Sequence, residues 1–272
     1  MASTAPAAKF HRLLLTGAAG GLGRELRRRL PAHCEILRVS DIAALGDAAP
    51  HEEVRPVDLA DAGAMLALLE GVDAVIHLGG VSTEQPWEAI LPANIVGAYH
   101  LYEAVRRQGV KRVVFASSNH VTGFYRQDET IPAGAPPRPD GLYGLSKAFG
   151  EDLAQLYQDR FGIETVSVRI GSSFAAPTTR RMLATYLSYD DFERLVLAAL
   201  TAKDVGHTTI CGVSANPRVW WDNASAAHIG YVPQDSSALF AAQVERDTPP
   251  GDPSDPAVIY QGGAFVKQGP AR

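Results

Sequence analysis

The chain of 272 residues has only two cysteines, Cys34 and Cys211, far apart and without a CxxC pair. That argues against a disulfide framework and a cysteine zinc site, and it predicts reduced thiols in a cytoplasmic protein. No apolar run approaches the length of a membrane span, and Met1 to Lys9 lacks the apolar core of a secretory signal. A membrane is therefore not an expected partner. No histidine–carboxylate cluster has metal-ligand spacing, so no metal is expected. Basic patches are also scarce. The formal net charge is −5, and the one cluster, Arg24 with Arg27, Arg28 and Arg29, reads as the solvated face of a helix. Nucleic acid is accordingly not an expected partner.

What is present is ordinary globular composition, 46% hydrophobic and 20% charged, in a chain long enough for one large core. Apolar runs near 12–16, 35–40, 53–57, 73–78, 111–117 and 164–170 alternate with helical patterns near 22–30, 61–70, 87–108 and 143–161. Such alternation predicts an α/β fold: a doubly wound parallel sheet, or Rossmann fold, with helices on both faces. After residue 171 the pattern changes. Helical stretches near 182–188 and 190–202 precede a strand-like run at 208–211, the segment Trp220-Trp221-Asp222-Asn223 and a last helix near 236–246. The expected division is a dinucleotide-binding part over 1–171 and a small substrate-covering part over 172–272, packed as one globule. Trp220 and Trp221 read as packing anchors of the second part.

The most informative stretch is Leu13-Leu14-Leu15-Thr16-Gly17-Ala18-Ala19-Gly20-Gly21-Leu22-Gly23. An apolar run ends in glycines spaced three apart, and a helical pattern begins at once. The first glycine makes the turn, the second lets backbone approach a diphosphate, and the third lets helix pack on strand. The helix N-terminus offers free N–H groups and a partial positive charge. Asp41 ends the next apolar run, about 20 residues on, where an acid binds the ribose hydroxyls. Its charge repels a 2′-phosphate, and no arginine follows in Ile42-Ala43-Ala44, so the cofactor is expected to be NAD rather than NADP.

In the second half, the polar cluster Ser117-Ser118-Asn119-His120 follows the apolar run Val113 to Ala116, at the strand end where open α/β sheets bind ligands. Tyr143 and Lys147 stand four apart on one helix face. With Gly17-x-x-Gly20-x-x-Gly23 and Asn94-Ile95-Val96-Gly97, these residues resemble the extended short-chain dehydrogenase/reductases. Ser117-Ser118-Asn119-His120, Arg138 to Gly144, Val168 to Ser172, Arg181-Met182-Leu183, Trp220 to Asn223 and Gln261 to Val266 resemble, more narrowly, the bacterial uronate dehydrogenases.

That resemblance implies oxidation of a hexuronate, such as glucuronate or galacturonate, at its anomeric carbon to an aldarolactone. Tyr143 is the expected base, with Ser118 holding the same hydroxyl and Lys147 holding the nicotinamide ribose. A phenol is a poor base near neutrality, and correcting that takes roughly 4 kcal/mol, which the Lys147 ammonium and a cationic nicotinamide are expected to supply. The cofactor residues are expected to be Gly17, Gly20, Gly21, Leu22, Gly23, Asp41, Asp58, Leu59, Leu78, Gly79, Gly80, Asn94, Ser117, Tyr143, Lys147 and Ile170. Gly79 and Gly80 stand where the family more often has alanines. The substrate residues are expected to be Ser82, Ser118, Asn119, His120, Tyr143, Ser172, Arg181 and Phe265, with the Arg181 guanidinium donating to the carboxylate. Pairing of copies through helices near 87–108 and 143–161 is common in the superfamily and stays open here.

Two other functions fit parts of this pattern. A sugar-nucleotide epimerase or dehydratase of the same superfamily needs more than the roughly 100 residues that follow the sixth strand to enclose its substrate. A protein that senses NAD without turnover needs none of Ser118, Tyr143 and Lys147.

Overall fold

The computed structural model describes residues 10–268. Its first strand, β1 (Phe10–Thr16), carries Leu13, Leu14 and Leu15, all fully buried. Successive strand residues face opposite sides, so Leu13 and Leu15 enter one core and Leu14 enters the other. A strand apolar on both faces belongs in the middle of a sheet that is covered twice. The chain continues through α1 (Gly21–Arg29), β2 (Cys34–Ser40), β3 (Glu52–Val54), α2 (Ala62–Leu68), β4 (Ala74–His77), α3 (Trp87–Ile90), α4 (Gly97–Gln108) and β5 (Arg112–Ser118). It then forms β6 (Ile131–Pro132), α5 (Leu142–Phe161), β7 (Glu164–Ile170), α6 (Arg180–Thr185), α7 (Tyr189–Thr201), β8 (His207–Gly212), β9 (Trp221–Asp222), α8 (Ala241–Asp247) and α9 (Pro256–Ile259).

The main sheet has the order β3-β2-β1-β4-β5-β7-β8, with every pairing parallel. This is the doubly wound α/β fold. Chain direction across the sheet reverses between β1 and β4, which opens a crevice beyond their carboxyl ends. One core packs α1 and α7 on the sheet through Leu26, Phe192, Leu195 and Val196. The other packs α2, α4 and α5 through Met65, Leu101, Tyr102, Val105, Leu153 and Tyr157.

Residues after 171 contribute both to the sheet and to its cover. β8 is the seventh strand, paired along β7 from Thr165↔His207 to Ile170↔Gly212. β9 pairs with β6 in a small separate sheet, where buried Trp221 packs with Ile131, Ala133, Cys211 and Val213. Its indole Nε1–H donates to Gln261 Oε1 at 2.9 Å.

Three local expectations change. The helix expected over 87–108 is broken, with a π-helical turn over Leu91–Val96 between α3 and α4. Pro92 lies in that turn, and it has no N–H for the regular ladder. The strand expected over 53–57 ends at Val54, because Pro56 cannot extend the ladder. The arginines of α1 are not all solvated. Arg27 grips Glu52 at 2.6 and 2.7 Å, and Arg29 reaches Asp190 and Glu193 on α7. No helix of the described residues is long and apolar enough to cross a membrane.

Candidate active site

The crevice is a single cleft of about 870 Å³, running from the glycine turn to α6 and the C-terminal segment. At one end the β1–α1 turn has the geometry a dinucleotide needs. Gly17 has φ +69°, and a Cβ there would lie 2.6 Å from the Leu78 backbone. A Cβ on Gly20 would meet only Gly17 O at 3.2 Å, and one on Gly21 would meet nothing within 4 Å. The N-terminus of α1 has no side-chain cap, so its first N–H groups remain available to an anion. The Asp41 carboxylate is held in place by the N–H groups of Ala19 (3.0 Å) and Ala43 (2.9 Å). Asp58, Leu59, Leu78, Gly79 and Gly80 line the same wall. The residues present fit a dinucleotide whose ribose bears free hydroxyls.

In the middle of the cleft, β5 ends in Ser117 and Ser118, and α5 brings Tyr143 and Lys147 over them. Ser118 Oγ accepts the His120 N–H at 3.2 Å and lies in the same wall as the Tyr143 hydroxyl. Burial pushes the Tyr143 phenol above its ordinary value, and the neighbouring Ser118 hydroxyl works against that rise. The lowering expected from Lys147 does not offset burial within the protein itself. The Lys147 ammonium lies 5.3 Å from the Phe115 ring centroid and 5.8 Å from that of Tyr143, with no carboxylate in ion-pair reach among the described residues. Burial therefore lowers it to about 8.

At the far end, Arg181 projects from α6. Its Nε–H donates to Gln261 O at 2.7 Å, and Nη1 lies 3.4 Å from Ser172 Oγ. With the Asn119 amide turned to satisfy both of its neighbours, Arg181 Nη2 donates to Asn119 Oδ1 at 2.6 Å and Asn119 Nδ2 donates to Ile170 O at 3.0 Å. Gly263, at φ +63°, lets the C-terminal segment cross over this guanidinium, because a Cβ there would lie 2.5 Å from Arg181 Cδ. No carboxylate pairs with Arg181 among the described residues. Burial lowers it to about 10, against the pull of Asp140, so it stays charged at neutral pH. His120 and Phe265 face one another with ring centroids 3.8 Å apart, and the His120 ring meets Tyr143 edge-on at 5.9 Å.

All but one of the expected site residues line this cleft. Asn94 does not. Its amide is engaged by the Val81 N–H and C=O and by Ser146 Oγ, at 2.8 to 2.9 Å, so it fixes the loop after β4 from behind. Ser117 lines the cleft, but its hydroxyl is turned away to Glu151 Oε1 at 2.5 Å.

Several supporting residues went unnoticed in the sequence. Glu151 pairs with buried Arg169 at 2.7 Å, which ties α5 to β5 and β7. Glu84 accepts two N–H groups at the start of α5. Thr16 Oγ1 accepts from the Gly79 N–H at 3.2 Å and bonds His77 Nδ1 at 2.7 Å. Burial, with Lys147 nearby, holds His77 neutral, down to about 3. None of these has a linear signal, because each partner lies far away in sequence.

Sheet order, glycine turn and the Ser118–Tyr143–Lys147 grouping define a nicotinamide-dinucleotide-dependent oxidoreductase of the extended short-chain type. Residues 13–206 match the NAD dependent epimerase/dehydratase family. The chain is 60% identical over 262 residues to a uronate dehydrogenase of Pseudomonas syringae pv. tomato, covering 96% of this chain and 95% of that protein. It superposes with a TM-score of 0.94 on a crystal structure of glucuronic acid dehydrogenase from Chromohalobacter salexigens, at 54% identity, covering 95% and 97% of the two chains. It also superposes, at TM-score 0.93 and 49% identity over 95% and 98% of the chains, on a mutant uronate dehydrogenase from Agrobacterium tumefaciens complexed with NAD. The chain belongs to the NAD dependent epimerase/dehydratase family, in its uronate dehydrogenase group.

Proposed function

We propose that this cleft oxidises a hexuronate such as glucuronate or galacturonate at its anomeric carbon, with NAD as acceptor, and releases the aldarolactone. NAD-dependent uronate oxidation is the activity of the group. The observation that supports the substrate's place is Arg181: a half-buried guanidinium without a carboxylate partner among the described residues, beside Asn119 and Ser172 in the wall that also holds Ser118 and Tyr143. A charge left unpaired in a low-dielectric site awaits an opposite charge, and a fork of N–H donors suits a carboxylate. A neutral aldose leaves that charge unmatched.

Bound NAD supplies the acceptor for the hydride leaving the anomeric carbon and a positive charge beside the phenol. The glycine turn and the α1 N-terminus would hold its diphosphate, and Asp41 its adenosine ribose. Asp58, Leu59, Leu78, Gly79, Gly80 and Ile170 would form its walls, and Lys147 would hold its second ribose. Ser118 donates to the anomeric oxygen and fixes it against Tyr143. Tyr143 Oη takes the hydroxyl proton as the C–H bond breaks and the C=O bond forms, so proton and hydride leave in balance. The Lys147 ammonium stabilises the phenolate that accepts this proton and becomes the neutral phenol. Ser82, Asn119, His120, Ser172 and Phe265 enclose the sugar. The two buried thiols suit a cytoplasmic protein.

The test is Arg181→Ala. Loss of a charge-assisted pair is expected to raise KM for glucuronate roughly 10- to 100-fold while leaving NAD affinity unchanged. Equal losses on glucuronate and on a neutral aldose would remove Arg181 from carboxylate binding. Carbon NMR of anomerically labelled glucuronate after turnover reads the product directly; an open-chain acid appearing without a preceding lactone contradicts oxidation of the closed ring.

A further inference from the structure

His120 lines the cleft, but one of its ring nitrogens is already used. Its Nδ1 lies 2.6 Å from Asp140 Oδ2, and both side chains are buried. Asp140 stands in the turn before α5, and its own N–H donates to His120 O at 3.3 Å. The carboxylate is accommodated with little room to spare. Cβ atoms on Gly123 or Gly262 would collide with Oδ2, and one on Gly144 would lie 3.3 Å from Oδ1. The Phe265 ring lies flat against the imidazole and fixes its plane. Nε2 has no hydrogen-bond partner among the described residues.

We propose that Asp140 is a positioning residue for substrate choice: it holds His120 in the tautomer with the proton on Nδ1, so that bare Nε2 accepts a hydrogen bond from a sugar hydroxyl other than the anomeric one. A carboxylate accepts but does not donate, so the shared proton sits on Nδ1. A neutral imidazole then has only a lone pair left at Nε2. Burial favours that neutral ring, opposed by the bond to Asp140, while Arg181 disfavours and Glu84 favours the cation. Tyr143, edge-on to the ring, is the remaining titratable neighbour. The site is thereby complementary to a uronate on two counts, with a cation for the carboxylate and an acceptor for a hydroxyl. An analogue lacking that hydroxyl leaves a buried acceptor unmatched.

This inference rests on the uronate reading, and its test separates the two. Ring-nitrogen NMR of histidine-labelled wild-type protein at neutral pH should find His120 as the Nδ1–H tautomer. Finding Nε2–H or the imidazolium overturns the proposal whatever the substrate. In Asp140→Ala the tautomer should change, and KM for glucuronate should rise about tenfold with KM for NAD unchanged. Among the monodeoxy glucuronates, one should bind wild type and Asp140→Ala alike. An equal penalty on every analogue, or a matching rise in KM for NAD, makes Asp140 merely structural and overturns the role. If Asp140→Ala does not fold, His120→Phe keeps the flat packing on Phe265 and removes Nε2, and the same single analogue should show no penalty. Wild type that reduces NAD with glucuronate yet carries Nε2–H on His120 defeats this inference and leaves the uronate reading intact.

Discussion

Glu84 holds the end of the helix that carries Tyr143. Its two carboxylate oxygens accept the N–H groups of Leu142 and Tyr143, at 2.9 Å each. These donors would otherwise be orphaned at the start of α5, and a negative charge there also suits the helix dipole. Glu84 sits two residues beyond Ser82, so one contact ties a wall of the cleft to the backbone of the proposed base. Glu84→Ala should cost about 1 kcal/mol of stability, as loss of a cap does elsewhere. It should lower kcat more than it raises either KM, because the misplaced group is needed in the transition state. Thermal melting and steady-state kinetics check both, and an unchanged kcat in a less stable protein would restrict Glu84 to stability.

Tyr143→Phe removes the proposed proton acceptor and keeps the ring that meets His120 edge-on. NAD binding should persist, as titration of the nicotinamide coenzyme can establish, while kcat falls by about 10² to 10⁴. Turnover near the wild-type rate would assign the base elsewhere.

Lys147 makes activity and stability oppose one another. Its folded value near 8 lies below the ordinary 10.5, because burial disfavours the cation. Between those values the unfolded chain holds a proton that the folded chain has lost, so this group's contribution to stability rises with pH from 8 to 10.5. At neutral pH the penalty is of the order of 3 kcal/mol. Lys147→Met should therefore melt at a higher temperature than wild type at pH 7, with the gap closing above pH 10, and it should lack turnover. A destabilised Lys147→Met at pH 7 would contradict the burial argument.

The layers of the fold were legible because each element has a local signature. Leu13 to Leu15 and Val113 to Ala116 are apolar without interruption, as strands buried on both faces must be. Gly17, Gly20 and Gly23 mark the turn between strand and helix. Ser118, Tyr143 and Lys147 could be paired because a strand end and a helix start converge in this fold. The break at Pro92 and the early end of β3 before Pro56 could have been read from proline chemistry alone. Asp140, Glu84 and the Glu151–Arg169 pair could not. Their roles depend on contacts with His120, Tyr143 and Ser117 across 20 to 59 residues, and a carboxylate in a polar stretch reads as solvated until its partner is located. Asn94 shows the reverse case: the motif placed it at the cofactor, and the fold uses both ends of its amide behind the wall.

The Asp41 carboxylate, proposed above to meet the adenosine ribose, is held by the Ala19 and Ala43 N–H groups. Asp41→Ala should shrink the ratio of kcat/KM for NAD over NADP by about 10-fold or more, since a buried hydrogen bond and a repulsion are lost together. Measuring both coenzymes on both proteins checks this; an unchanged ratio assigns the discrimination to another group.

The most direct test follows the absorbance of reduced nicotinamide with purified protein, NAD and, in parallel, glucuronate, galacturonate and glucose. The two acids should be oxidised rapidly and glucose scarcely at all, because only the acids match Arg181. Equal rates on glucose, or no reduction with either acid in protein that binds NAD, would contradict uronate oxidation in this cleft.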